Sequence, residues 1–324
     1  MIQDISLKSA FIFIVIVTAC LLQGYVSPQA GLPGALHRIR VNSPADTKEF
    51  FRYTKDRIPF VSAHRGGPGP GYPENCIPTF EHTLQNTFAI LEIDPRFTKD
   101  SAIVVMHDAT LQRTSNGSGR VADYTLEQLK KLRLKDTEGK STSFSIPTLD
   151  EVLQWAKGKT ILVIDAKDVP IETRVKKIEE NGAEANAIVI VYSYEDARKC
   201  YELNKNIVME LMVPNRTKLE EIDALGVPWS NIIAFVTHTR PEDASIFELI
   251  HAKGAMCIVG SSRTVDRAYV RGEITSRDSL QTQYRNILVD GADVIEADLA
   301  IEAGKAIADK VDPKSARYRF FKKD

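Results

Sequence analysis

Two imidazoles, three carboxylates and a guanidinium sit at the ends of three short apolar runs within residues 58–108. His64 and Arg65 follow the run 58–63, Glu92 and Asp94 close the run 88–93, and His107 with Asp108 follows the run 102–106. In Glu92-Ile93-Asp94 the carboxylates alternate, so both point to one side of a strand. Such a pair repels when buried unless something positive lies between them. A hard divalent cation with oxygen ligands is the simplest partner; the alternative is that one carboxylate caps a loop or pairs with Arg96. Arg65 offers a planar fork of donors suited to a phosphate, or an ordinary ion pair. One His after a strand is commonly structural. Two placed alike after two apolar runs suggest proton transfer. The glycines at 66–71 lack the Lys-Ser/Thr ending of a phosphate loop, so they read as a turn that lets backbone approach a ligand.

These groups converge only if their strands are neighbours. Short apolar runs bounded by Gly and Pro read as buried strands, and the C-terminal ends of parallel strands are where sites are built. Ile77, Phe80, Leu84 and Phe88 repeat at helical spacing, which predicts a first crossover helix over 74–88 with Glu74 and Asn75 at its start and His82 facing solvent. Glu74 and Asn75 either touch the site or cap the helix. Capping patterns predict helices over 125–134 and from Thr148 through Trp155. The strand 160–164 ends in Asp165-Ala166-Lys167, whose charged ends share one face, either in the site or as an internal pair.

Further on, Gly182, Gly226, Gly254 and Gly291 each end a helical segment and precede an apolar run, at 187–191, 232–236, 255–259 and 293–295. Glycine just past a helix is a C-cap signal, and this alternation predicts a parallel sheet. With 207–211 there are nine strand candidates, so for an eight-stranded barrel one must lie outside. Ser193, Glu210, His238, Glu296 and Asp298 close later strands at the same mouth, the last two as a strand-end hydrogen-bonding pair. A short helix is expected over 46–56, and the basic, aromatic tail 314–324 reads as a surface-packed end.

A net charge of −1 leaves no electrostatic footprint for nucleic acid. Cys20, Cys76, Cys200 and Cys257 have neither zinc-site nor disulfide spacing, and Cys257 reads as core. Residues 1–24 read as an export signal or lipoprotein leader, with an uncleaved anchor as the alternative. Val17-Thr18-Ala19-Cys20 resembles the bacterial lipoprotein box, in which acylation of the Cys would tether the chain to a membrane. The expected location is the periplasm or cell envelope. Residues 25–45 read as a linker and 46–324 as one domain of barrel size.

The segments His64-Arg65-Gly66, Pro73-Glu74-Asn75, Glu92-Ile93-Asp94, Thr98-Lys99-Asp100, His107-Asp108 and Arg113-Thr114 resemble, in order and spacing, the glycerophosphodiester phosphodiesterase family of the PI-PLC-like superfamily. Ile146-Pro147-Thr148-Leu149-Asp150-Glu151 and Asp165-Ala166-Lys167 extend the likeness, which spans residues 58–300. The resemblance implies an irregular TIM-type (β/α)8 barrel with a small cap inserted after the third strand, at about 109–146, walling the substrate cleft. It implies Glu92, Asp94 and Asp165 as ligands of one Ca²⁺ or Mg²⁺, Asp165 standing where the family usually has Glu. Arg65 and Lys167 would bind substrate phosphate, His64 and His107 would be acid and base, and Glu74 and Asn75 would lie behind them. Cys76 stands where the family usually has Thr. In the implied reaction a glycerol hydroxyl attacks phosphorus, an alcohol leaves, and water opens the cyclic product to glycerol 3-phosphate. Alternatives are a lipid phosphodiesterase acting on lysophospholipids or glycerophosphoinositol, or a non-catalytic barrel binding envelope ligands. A broad apolar groove beside 108–145 would favour lipids; a small polar pocket would favour water-soluble diesters.

Overall fold

A run such as Ala187-Ile188-Val189-Ile190-Val191 has no polar face, so it needs cover on both sides, which a parallel barrel wrapped in helices supplies. A computed structural model describes residues 34–324. The leader expected over 1–24, with Cys20, lies outside them. In chain order the first half comprises β1 (His37–Ile39), α1 (Pro44–Phe51), β2 (Phe60–Ala63), α2 (Ile77–Asn86), β3 (Ala89–Ile93), β4 (Pro95–Phe97), β5 (Ile103–Val105), α3 (Leu126–Lys130), α4 (Leu149–Ala156), β6 (Leu162–Ile164) and α5 (Ile171–Glu180). The second half adds β7 (Ala187–Val191), α6 (Tyr194–Leu203), β8 (Met209–Met212), α7 (Arg216–Asp223), β9 (Ile232–Thr237), α8 (Ser245–Ala252), β10 (Cys257–Gly260), α9 (Val265–Val270), α10 (Arg277–Val289), β11 (Val294–Ala297), α11 (Ala300–Ile307) and β12 (Phe321–Lys323).

Eight strands close a parallel barrel in the order β2-β3-β6-β7-β8-β9-β10-β11, the TIM-type (β/α)8 architecture. Alternation sorts their side chains. Val61, Leu91, Leu162, Val189, Ala234 and Ile295 pack outward against the helices. Phe60, Ile90, Val163, Ile188, Ile233 and Val294 pack inward. One alternation further along, the inward positions are Ser62, Glu92, Asp165, Ile190 and Glu296. The barrel therefore has an apolar lower layer and a mostly polar upper layer, and the sites built on strand ends stand on that upper layer.

The helices are fixed locally. Thr148 accepts the Glu151 amide at 3.1 Å, and Glu151 accepts the Thr148 amide at 2.8 Å. This capping box starts α4, which buries Leu149, Val152, Leu153 and Ala156; losing such a cap costs about 1 kcal/mol.

Four expectations change. The linker expected over 25–45 ends early: β1 pairs antiparallel with β12, and Leu36, Ile39 and Val41 are buried. With α1 and Phe320, Ile39 and Val41 plug the bottom of the barrel, so the compact unit begins at Ala35, not at 46. The ninth strand candidate is the run 102–106. Its β5 pairs antiparallel with β4 outside the barrel, so the insertion spans 95–148 and contains that strand instead of following it. The helix expected over 125–134 is only α3. His82 is half-buried and stacks on Tyr72, ring centroids 3.7 Å apart, instead of standing free in solvent. Among the described residues no helix is long and apolar enough to cross a membrane.

Candidate active site

The strand-to-helix turn after β2 puts His64 and Arg65 over the barrel mouth. Arg65, Gly66 and Gly67 adopt φ of 53°, 83° and 79°, a left-handed run that glycine tolerates best. A Cβ at Gly66 would lie 2.2 Å from Phe80 Cε1, so the turn can pack on α2 only without a side chain there. The Arg65 amide donates to Glu92 Oε2 at 2.7 Å, tying this turn to β3.

Glu92, Asp94 and Asp165 are buried, and each offers a carboxylate oxygen within 4.8 Å of the others. Burial, then the charge of Asp94, raises the Glu92 carboxyl well above its ordinary range. Asn75, at φ 59°, donates to Asp94 Oδ2 at 2.6 Å and accepts from the Asp94 amide at 3.1 Å. It therefore stands behind the trio and does not cap α2. Tyr192 donates to Asp165 Oδ1 at 2.7 Å. Lys167 bonds Asp165 Oδ2 and lies 2.9 Å from Asp94 Oδ1, yet that buried oxygen accepts no well-directed hydrogen bond. Three buried oxygen donors, one of them unsatisfied, fit a hard cation. Asp165, although a methylene shorter than Glu, reaches the same point.

Each imidazole is held by a carboxylate. His64 Nδ1 lies 2.5 Å from Asp298 Oδ1, and His107 Nδ1 lies 2.7 Å from Asp108 Oδ1. Burial opposes protonation of His64, but the Asp298 hydrogen bond and the charges of Glu92, Glu296 and Asp298 outweigh it and push the ring up to about 10. A hydrogen bond from Arg113, aided by His107 and opposed by burial, holds the Asp108 carboxyl far below the usual carboxylate range.

Both imidazoles and Asp298 line one cavity of about 390 Å³, together with Tyr192, Met212, Phe235 and His238. His64, Arg65, Glu92, His107, Asp165 and Lys167 all face it, and Asp94 joins through the carboxylate trio. Glu74 stands behind, 3.2 Å from Arg65 Nη1. The expected cleft wall over 109–146 is absent: His107 lines the cavity, but no residue of that stretch does. The insertion acts from behind through Arg113.

Sequence reasoning missed three partners. Asp298 was paired with Glu296 but orients His64; Glu296 is buried beside Glu210, and burial raises both carboxyls. Tyr192 belongs to no motif, although alternation from inward Ile188 and Ile190 places it at the mouth. The Arg113–Asp108 contact spans five residues in a loop, and no periodicity marks it.

The model of the Glycerophosphoryl diester phosphodiesterase family matches residues 64–224. A crystal structure of a glycerophosphoryl diester phosphodiesterase from Parabacteroides distasonis is 41% identical with a TM-score of 0.85, covering 89% of this chain and 100% of that one. A glycerophosphodiester phosphodiesterase of Caldanaerobacter subterraneus subsp. tengcongensis is 34% identical over 160 residues, 47% of this chain and 65% of that protein. One of Bacillus altitudinis is 37% identical over 125 residues, 38% of this chain and 51% of that protein. The chain thus spans between half and two thirds of these two relatives.

Proposed function

The chain belongs to the glycerophosphoryl diester phosphodiesterase family, and on that premise we propose that it hydrolyses glycerophosphodiesters to an alcohol and glycerol 3-phosphate. One observation carries the reading: two carboxylate-held imidazoles face a single cavity with Glu92 and Asp165, whose carboxylates meet that of buried Asp94.

Glu92, Asp94 and Asp165 would hold one divalent cation, Ca²⁺ or Mg²⁺. A bound cation supplies electrophilic stabilisation to a phosphoryl oxygen. Arg65 and Lys167 bind the remaining phosphoryl oxygens and offset charge that grows in the transition state. Asp298 and Asp108 occupy Nδ1 of His64 and His107, which leaves each Nε2 edge for the substrate. One imidazole takes the proton of the attacking glycerol hydroxyl, and the other protonates the departing alcohol. Water then opens the cyclic phosphodiester with the roles reversed. Asn75 fixes Asp94, and Tyr192 fixes Asp165.

The polar cavity favours water-soluble diesters over lipids, and its filled acid, base and ligand positions disfavour a non-catalytic barrel. The apolar N-terminal run and Cys20 support export to the cell envelope with a lipid tether. A panel of glycerophosphodiesters, assayed with chelator and then with Ca²⁺ or Mg²⁺, tests the activity. Release of glycerol 3-phosphate only with cation supports it; no release from any member refutes it.

A further inference from the structure

We propose that Arg263 and Arg267 form a second anion site on the far rim of the cavity, which selects diesters whose leaving alcohol itself carries a phosphate or carboxylate. This rests on the phosphodiesterase reading and extends it to the half of the substrate that departs.

Arg263 follows β10 and Arg267 lies in α9, and both line the same cavity as His64 and Lys167. In the closed barrel β10 is separated from β6, which presents Asp165 and Lys167, by three strands on either side. The rim at β10 therefore lies across the mouth from the Lys167 corner. A glycerophosphodiester bound at Arg65 and Lys167 must point one end toward it.

The two guanidiniums are not there to neutralise protein carboxylates. Arg65 and Lys167 have acidic partners in the site. Among the described residues Arg263 and Arg267 have no ion pair and no side-chain hydrogen bond. Of the nearby acids, Glu210 and Glu296 are buried below the rim and pair with neither arginine, and Asp266 and Asp298 are already committed. Asp266 turns inward, where Ser261 and Tyr284 hydroxyls and the Asp298 amide donate to it at 3.1, 2.5 and 2.7 Å. Asp298 holds His64 at 2.5 Å. His238, also on this side, is pushed down to about 4 by burial and then by the charge of Arg263, so it is neutral and shields nothing. The rim thus presents two unpaired, exposed forks, each able to bind two oxygens of one anion. A neutral or cationic alcohol leaves them unused.

The test uses two matched pairs. Glycerophosphoserine and glycerophosphoethanolamine differ by one carboxylate. Glycerophosphoglycerol and its terminal phosphate ester differ by one phosphate. The wild-type protein, loaded with cation, should prefer the anionic member of at least one pair by about tenfold in kcat/KM. Which pair responds identifies the anion. The double variant Arg263→Gln/Arg267→Gln should reduce that ratio to within threefold of unity, and Arg263→Lys/Arg267→Lys should retain part of it. Added salt should shrink the wild-type ratio, a check that needs no variant. Ratios near unity in the wild type, or a ratio that survives the Gln variant or high salt, overturn the proposal. Turnover of none of the four diesters overturns the phosphodiesterase reading, and this inference with it.

Discussion

Arg113 grips Glu74 with both terminal nitrogens, each at 2.8 Å, across 39 residues of sequence. The same guanidinium holds Asp108 at 2.6 and 2.8 Å, and Asp108 in turn holds His107 while Glu74 holds Arg65. One side chain from the insertion therefore sets both the His107 imidazole and the Arg65 guanidinium, to which the proposed mechanism assigns proton transfer and phosphate binding.

Arg113→Lys keeps the charge but loses the double fork. A misplacement of about 1 Å in reacting groups costs on the order of 100-fold. The variant should lower kcat/KM by roughly 10- to 100-fold while the melting temperature changes little. Steady-state kinetics and a thermal melt check this together.

Asn75→Ala removes both hydrogen bonds to Asp94 and leaves its buried amide unpaired, at a cost of about 1–3 kcal/mol. Partners standing behind a metal ligand are worth about 10- to 100-fold in affinity. Calorimetric titration with Ca²⁺ and Mg²⁺ should show a loss of that order; unchanged affinity for both would separate Asn75 from the cation.

His64 titrates higher in the fold, at about 10, than the ordinary value of about 6.5. Its contribution to stability is therefore complete below pH 6.5 and is lost as pH rises toward 10. In chelator, wild-type melting temperature should fall across that window, and Asp298→Asn should flatten the slope.

Gly66→Ala forces a side chain into left-handed backbone, worth about 1–2 kcal/mol, and drives its Cβ to 2.2 Å from Phe80 Cε1. Urea unfolding should show a loss larger than the backbone term alone. Adding Phe80→Leu should restore the part due to the ring.

Alternation within strands made much of this legible. Glu92, Asp94 and Asp165 follow directly from inward Ile90 and Val163, and the glycine-ended helices gave the barrel repeat. What was not legible depends on distant partners. The run 102–106 is as apolar as a barrel strand, and only its pairing with Pro95–Phe97 removes it from the barrel. Residues 36–41 look like linker because their strand partner, Phe321–Lys323, lies at the other end of the chain. The sequence places Asp298 at the mouth just past the last barrel strand and Arg113 in a motif, but local pattern does not show that they hold His64 and Asp108.

The central claim is tested most directly by glycerol 3-phosphate release in wild type, His64→Ala and His107→Ala, each folded and supplied with cation after chelation. Wild type should release product only with cation, and each variant should fall by at least about 100-fold. Full turnover in either variant, or undiminished wild-type turnover in chelator, would contradict it.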